Sequence, residues 1–397
     1  MKTPAASASS DSLKERKKVV STFAWASFLH DVGSDAVFSV WPLFVTNVLK
    51  ANMSTLGLID GIGDAMVSLS QAVSGYLSDR FRKRKVFVWL GYLFGGIARI
   101  GYALAPAWQI LIPFRILDRS GKMRGSPRDA MISDVSTDQD RGRNFGILRS
   151  MDNLGATLGT VLAIVLIDRL GYRNLFFLAA IPSVPAVLLV LIRVRETPGD
   201  KRIYRGVRLR DFGRDLKIYT LSSAIFALAA YSYSFLLVHA SRSDFSTPVV
   251  PALYLLFNLV AALLSLPFGR LADRIGRKPV LYLAFLFWGL VNAVLIVFPG
   301  KTGIVACFAL YGMHQASLLP VQKALVAELA PGEFVASSLG GFQMIIGLLG
   351  LPASLLAGYL WDTVNSSAPF YCSLFLTGLA VFVLVFVKET RNQKLQA

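Results

Sequence analysis

Aspartates 31 and 35 stand one helical turn apart in the stretch FLHDVGSDAVF, so both carboxylates share a face if the segment is helical. Two acids that close in a medium of low dielectric do not both ionise readily, and one keeps its proton. Gaining and losing a proton beside other charges is what a proton carrier must do. Asp31 and Asp35 are therefore the candidates for proton coupling. Asp60 and Asp64 repeat the spacing further on. A second polar stretch, RILDRSGKMRGSPRDAMISD, begins at Arg115. In it Arg115, Asp118, Arg119, Lys122, Ser126 and Asp129 recur every three or four residues, the spacing of one helix face. Arg124 and Arg128 fall off that face, and the spacing sends them towards water or lipid headgroups. Arg149 and Asp152 add a third group, and His314 with Gln315 a fourth. Such side chains can line a solute cavity, for which Arg115, Asp118, Arg119, Lys122, Arg149, Asp152, His314 and Gln315 are the candidates. A structural ion-pair network, with Asp118 beside Lys122, is the competing reading. His30, Asp31 and Asp35 also offer donors to a metal. His30 and Asp31, however, would point about 100° apart on a helix, so metal binding stays open.

Elements must hold these groups among apolar sequence. Of 397 residues, 54% are hydrophobic and 16% charged, and the mean hydropathy is +0.55. A soluble chain of this size cannot bury so much apolar surface. Runs of about 20 apolar residues, as at 86–106 and 280–298, are long enough to cross a bilayer. Turn signals divide them into twelve predicted helices. The first six are 19–49, 54–77, 86–106, 109–133, 144–168 and 174–193. The second six are 218–240, 249–270, 280–298, 302–328, 335–361 and 368–387. The expected fold class is an all-α membrane protein of twelve transmembrane helices in two six-helix bundles, 19–193 and 218–387. A disordered tail (1–18), a basic linker (194–217) and a C-terminal tail (388–397) complete the expected division. A charge at the bilayer centre costs about 3 kcal/mol on insertion scales, so the charged groups above should be functional or paired.

The formal charge of +17 is concentrated at 14–18, 80–85, 193–217, 270–278 and 388–394, with few basic residues in the intervening connections. By the positive-inside rule this alternation puts both termini and the central linker in the cytoplasm. A cytoplasmic-membrane location follows. Nucleic acid is excluded as a partner, since no soluble domain carries a basic face with interleaved aromatics. No Gly-x4-Gly-Lys-Ser/Thr loop is present, no nucleophile–base pair stands out, and Cys307 and Cys372 lie singly in apolar runs. The chain is thus expected to be no enzyme, to need no cofactor, and to work as a monomer.

The halves repeat one another. GYLSDRFRKRK from Gly75 and GRLADRIGRKP from Gly269 start 194 residues apart. The same offset relates Asp134 to Glu328, Gly146 to Gly340, Asp168 to Asp362 and Phe176 to Phe370. A duplicated six-helix unit is a construction of secondary transporters. Both copies resemble the signature of the major facilitator superfamily, Gly-x-Leu-(small)-Asp-Arg-x-Gly-Arg-basic-basic, and the resemblance covers the chain after residue 18. It implies alternating access by rocking of the halves. It also implies a conformational latch formed by Gly75, Asp79, Arg80, Gly269, Asp273 and Arg274, the glycines admitting a neighbouring helix and the aspartates capping a helix N-terminus. The first copy carries Arg82 where the second has Gly276, which predicts a looser first turn. Gly146, Gly155 and Gly159 partly resemble the superfamily's antiporter signature, or simply allow close helix packing. The expected function is secondary transport of a small molecule across the lipid bilayer, by proton-coupled efflux in exchange for protons. Transport of a metal or metal chelate, and a non-transporting receptor or scaffold, are the alternatives.

Overall fold

The computed structural model describes residues 4–137, 140–196, 212–243, 245–330 and 335–389, with side chains from Arg16 on and excepting those of Asp79, Ala336 and Ser337. Every regular element among them is helical. Eight helices are long and apolar enough to cross a membrane on their own. The remaining helices, broken by turns, account for the other predicted spans, and the twelve-helix fold class holds.

Two packed units are distinguished. Unit 1 comprises residues 1–38 and 69–203; unit 2 comprises 39–68 and 204–397. Ser39–Ser68 thus groups with the C-terminal sequence.

In unit 1, α1 (Pro4–Phe38) packs along α7 (Arg141–Ala180) and α8 (Ser183–Arg193). Against this group lie α4 (Arg84–Leu104), α5 (Trp108–Ser120) and α6 (Gly125–Val135), the last two joined by a 3-10 turn, Gly121–Arg124. α1 starts inside the segment expected to be a disordered tail. Its Ala, Leu, Lys, Glu and Arg residues are good helix formers, and Pro4 suits a first turn. Close approach of α1 and α7 needs glycine. A Cβ on Gly155 would meet the Phe28 carbonyl oxygen at 2.4 Å, and one on Gly159 the Val32 oxygen at 2.1 Å. Gly146, the third glycine of the antiporter-like pattern, has open space around it. Two of the three glycines are thus accounted for by packing. α7 bends at Gly171, whose φ of +69° suits glycine.

Unit 2 contains α2 (Trp41–Leu43), a π-helical turn (Phe44–Val48) and the first part of α3 (Met53–Phe81). With them are α9 (Arg214–Ala229), α10 (Ser234–Ser241), α11 (Val249–Ile275), α12 (Arg277–Val297), α13 (Lys301–Leu329), α14 (Val335–Thr363) and α15 (Ala368–Val385). Here α3 meets α14 through Gly57 and Gly61, whose Cβ positions lie 2.1 Å from the Ser354 oxygen and 2.6 Å from the Leu351 Cα. A glycine pair four residues apart lets two backbones approach. The predicted seventh helix, 218–240, is interrupted between α9 and α10. Most of the expected linker and C-terminal tail, residues 197–211 and 390–397, lies outside the described residues.

Candidate functional site

Unit 1 carries an open cavity of about 260 Å³ lined by Asp31 of α1, Lys122 and Arg124 of the 3-10 turn, Arg128 of α6, and Arg149 and Asp152 of α7. Arg124 Nη2 stands 3.7 Å from Asp31 Oδ1. Its Nη1 donates to the Gly121 carbonyl at 3.0 Å, and its guanidinium lies 5.0 Å from the centre of the Tyr92 ring. Arg128 Nη1 donates to Ser27 Oγ at 2.7 Å and lies 3.8 Å from Asp152 Oδ1; its Nε donates to Asp129 Oδ1 at 3.0 Å. Arg149, largely exposed, reaches Asp152 at 3.7 Å. Lys122 forms no hydrogen bond or ion pair among the described residues. Four cations thus face two carboxylates across the cavity, with the half-exposed Asp129 on its rim.

The cavity brings together four predicted residues, Asp31, Lys122, Arg149 and Asp152. It also contains two that the spacing had sent elsewhere. Arg124 is only 5% exposed, and the Arg128 side chain is nearly as enclosed. The 3-10 turn is the cause. It winds about 20° further per residue than an α-helix, so four residues advance the helix by about 80°. Beyond Gly125 the phase has moved, carrying Arg128 onto the charged face. Ser126 turns to Gln71, whose carbonyl oxygen accepts its hydroxyl at 3.3 Å. Before the turn, Arg115 and Arg119 stand 5.3 and 4.2 Å from the centre of the Phe38 ring, with Asp118 buried beside Arg119. These three residues form a second charged group, on α5. Asp35 follows Asp31 by one turn, half-buried.

His30 is bound within the bundle. Arg99 Nη2 lies 3.2 Å from its Nε2 and donates to its carbonyl at 3.1 Å, while Nη1 donates to Ser183 Oγ at 2.7 Å and to the Ala179 carbonyl. Among the described residues no three His, Cys, Asp or Glu side chains converge as a metal site.

In unit 2, His314 is buried with Nδ1 2.8 Å from the Ala284 carbonyl, packed among Phe226, Trp288 and Tyr311. Gln315 donates to the Tyr311 hydroxyl at 2.9 Å. Asp60 is 1% exposed. It accepts from Trp41 Nε1 at 2.9 Å and from Ser232 Oγ at 2.8 Å. Asp362 caps the start of α3, accepting from Met53 N at 3.1 Å, Ser54 N at 2.7 Å and Ser54 Oγ at 2.6 Å.

The repeated turns differ as their sequences suggest. Gly276 has φ +100° and is itself the N-cap of α12. In the first copy Arg82 takes the positive φ, +55°, and Lys83 follows as the N-cap of α4, so this turn is one residue longer. Each turn is held by the same pattern of charges. Glu196 accepts from Arg84 N at 2.7 Å and Lys85 N at 3.1 Å. Glu389 accepts from Arg277 N at 2.5 Å and Lys278 N at 3.3 Å. Arg84 pairs with Asp134, and Arg277 with Glu328. Glutamates 196 and 389 escaped notice, although both stand in a basic-Glu-Thr triplet at the end of a six-helix half. Among the described residues, neither glycine of the two motifs is pressed against a neighbouring helix. A Cβ on Gly75 would sit 3.6 Å from Ser126, an ordinary contact, and one on Gly269 would meet nothing. Arg80 donates to the Tyr76 hydroxyl at 3.3 Å; Asp273 and Arg274 are exposed. The Asp79 side chain lies outside the described residues.

The profile of the Major Facilitator Superfamily matches residues 23–257 and 219–397. The chain belongs to the major facilitator superfamily. An MFS-type transporter of Methanocaldococcus jannaschii is 34% identical over 384 residues, 94% of this chain and 96% of that one. The Multidrug resistance protein MdtG of Escherichia fergusonii is 26% identical over 346 residues, 81% of this chain and 82% of its own. Among solved structures, a bacterial homologue of the human lysosomal transporter Spinster superposes with a TM-score of 0.72 at 15% identity, covering 94% of each chain. The nucleoside transporter NupG does so at 0.72 and 16%, covering 92% of this chain and 97% of its own. These two establish the fold. As a superfamily member the chain is a multi-pass membrane transporter of the secondary type, and not an enzyme.

Proposed function

We propose that this transporter couples the movement of a small molecule to that of protons, with Asp31 as the group that takes up and releases the proton. The observation that carries the reading is the place of Asp31. It is a partly buried carboxylate on a cavity wall, 3.7 Å from its nearest cation and within the field of Lys122 and Arg128. An acid so placed can exchange its negative charge for a proton without leaving the bundle. Asp35, one turn away, is the second member of the pair. The solute would contact the cavity side chains, and alternating access would carry it across.

Export of the solute is the direction that the name of the MdtG relative, a multidrug resistance protein, supports. Co-transport of a proton with the solute is supported by the excess of cations around Asp31, developed below. The basic turns support a cytoplasmic-membrane protein with both termini inside. Asp79 and Asp273 would latch the halves at another point of the cycle, and a monomer suffices for all of this.

The test is reconstitution into liposomes with an internal pH reporter and three added solutes: ethidium, uridine and succinate. A solute-dependent change of internal pH, abolished in Asp31→Asn, is the expected result. Solute flux that ignores an imposed pH gradient and survives Asp31→Asn would refute proton coupling. The direction of the pH change separates exchange from co-transport.

A further inference from the structure

We infer that the unit 1 cavity binds an anionic group of the transported solute, a carboxylate or phosphate, through Lys122 and Arg124, with a proton on Asp31 accompanying it. The inference rests on the transporter reading and names its substrate class.

Three observations converge on an anion. First, the wall itself carries four cations, Lys122, Arg124, Arg128 and Arg149, against two carboxylates, Asp31 and Asp152, with Asp129 on the rim and Asp35, one turn along α1 and in the field of Lys122, as the remaining acids. Second, the acids do not saturate Lys122 and Arg124. Charge-assisted hydrogen bonds close to about 2.7–2.9 Å, yet Arg124 stands 3.7 Å from Asp31, whereas Arg128 is already held by Asp129 at 3.0 Å. Lys122 has no partner within those limits. A cation held at membrane depth without a partner is costly, and an arriving anion removes that cost. Third, the donors are held in place before any ligand arrives. Arg124 is tied to the Gly121 carbonyl and lies against Tyr92, which leaves Nη2 directed at the cavity side where Asp31 stands. At about 260 Å³ the space is below the range of about 300–1,000 Å³ typical of drug-sized ligands. It suits a small anion or the charged end of a larger solute.

The coupling sign follows from competition. Asp31 faces Lys122, Arg124 and Arg128 from the turn and α6, Asp152 and Arg149 from α7, and Tyr92 and Arg99 from α4. A ligand anion and an ionised Asp31 draw on the same cations. Neutralising Asp31 frees them, so proton and anion bind together, and the solute travels with the proton rather than against it.

Binding is measured on the purified chain in phosphatidylcholine nanodiscs by calorimetric titration with sodium succinate and with inorganic phosphate, at constant ionic strength. The ratio of affinity at about pH 6 to that at about pH 8 is expected to be larger for the native chain than for Asp31→Asn, whose remaining pH dependence reports only the ionisation of the ligand. Lys122→Gln should weaken binding by about tenfold or more, the loss of one charge-assisted hydrogen bond, and Lys122→Arg should restore most of it. Lys122 makes no hydrogen bond among the described residues and acts on Asp31 and Asp35 only through its charge, so thermal unfolding of Lys122→Gln, expected to match that of Lys122→Arg, checks that the fold is spared. Failure of both anions to bind, or unchanged affinity in Lys122→Gln, would overturn the site. Equal succinate affinity in phosphatidylglycerol nanodiscs supports a solute site. Loss of binding there would overturn it in favour of a lipid headgroup. Flux of ethidium or uridine without anion binding would remove this site and leave the transporter reading intact; anion binding without flux of any solute would do the reverse.

Discussion

Replacing Gly159 by alanine tests whether the glycines of α7 serve packing. The new methyl would fall 2.1 Å from the Val32 carbonyl oxygen, 2.9 Å from its carbon and 3.0 Å from the Ala36 nitrogen, all backbone atoms of α1. To reach even a tight contact of 3.4 Å, α1 must retreat by about 1.3 Å, and overpacking of this kind typically costs about 1–3 kcal/mol. Gly146→Ala is the matched control: nothing lies within 4 Å of its added methyl, and alanine is favoured over glycine inside a helix by about 1 kcal/mol. Thermal unfolding of the two variants in one detergent should move in opposite directions, Gly159→Ala down and Gly146→Ala level or up. Gly155→Ala, with a carbonyl oxygen at 2.4 Å, should follow Gly159→Ala. Equal melting temperatures for Gly146→Ala and Gly159→Ala would refute the packing account.

Three other perturbations follow from the same geometry. Arg82→Gly relieves a left-handed residue whose side chain costs about 1–2 kcal/mol there, partly offset by the flexibility glycine adds to the unfolded chain. It should raise the unfolding temperature slightly, whereas Gly276→Ala should lower it; a fall in both would contradict the assignment. Glu389→Ala removes the acceptor of two backbone donors at the start of α12 and should cost about 1–2 kcal/mol. Glu196→Ala should cost less, because Glu196 is exposed and Glu389 half-buried, and the reverse order in denaturant titration would count against it. Asp362→Ala leaves the amides of Met53 and Ser54 without their acceptor. Hydrogen exchange at those two amides should accelerate, and unchanged protection would show that the cap is dispensable.

Much of the architecture was legible before any coordinates, for a physical reason. Lipid demands apolar runs of fixed length, and a duplicated half repeats its turn residues at a constant offset. The positions of Asp31, Lys122 and Asp152 could be anticipated on the same grounds, since charge among apolar sequence must be gathered somewhere. Periodicity failed at Gly121–Arg124, where a 3-10 turn changed the helical phase and hid Arg124 and Arg128. Nor could it foresee Glu196 and Glu389, whose partners are backbone amides more than a hundred residues away. The grouping of Ser39–Ser68 with the second unit was equally hidden, because the glycines Gly57 and Gly61 signal close packing without naming the partner helix.

The charged clamps around the two turns are each complete within one unit: Glu196, Arg84 and Asp134 in the first, Glu389, Arg277 and Glu328 in the second. At that end of the helices, the duplicated halves are self-sufficient modules. At the opposite end they are not, because Asp60 and the start of α3 find hydrogen-bond partners in Ser232 and Asp362 of the C-terminal sequence. A chain severed in its central linker would yield two fragments of unequal completeness: the N-terminal one would carry an orphaned segment, and the C-terminal one a vacant seat for it. Heredity by duplication is thus preserved at one end of the molecule and overwritten at the other.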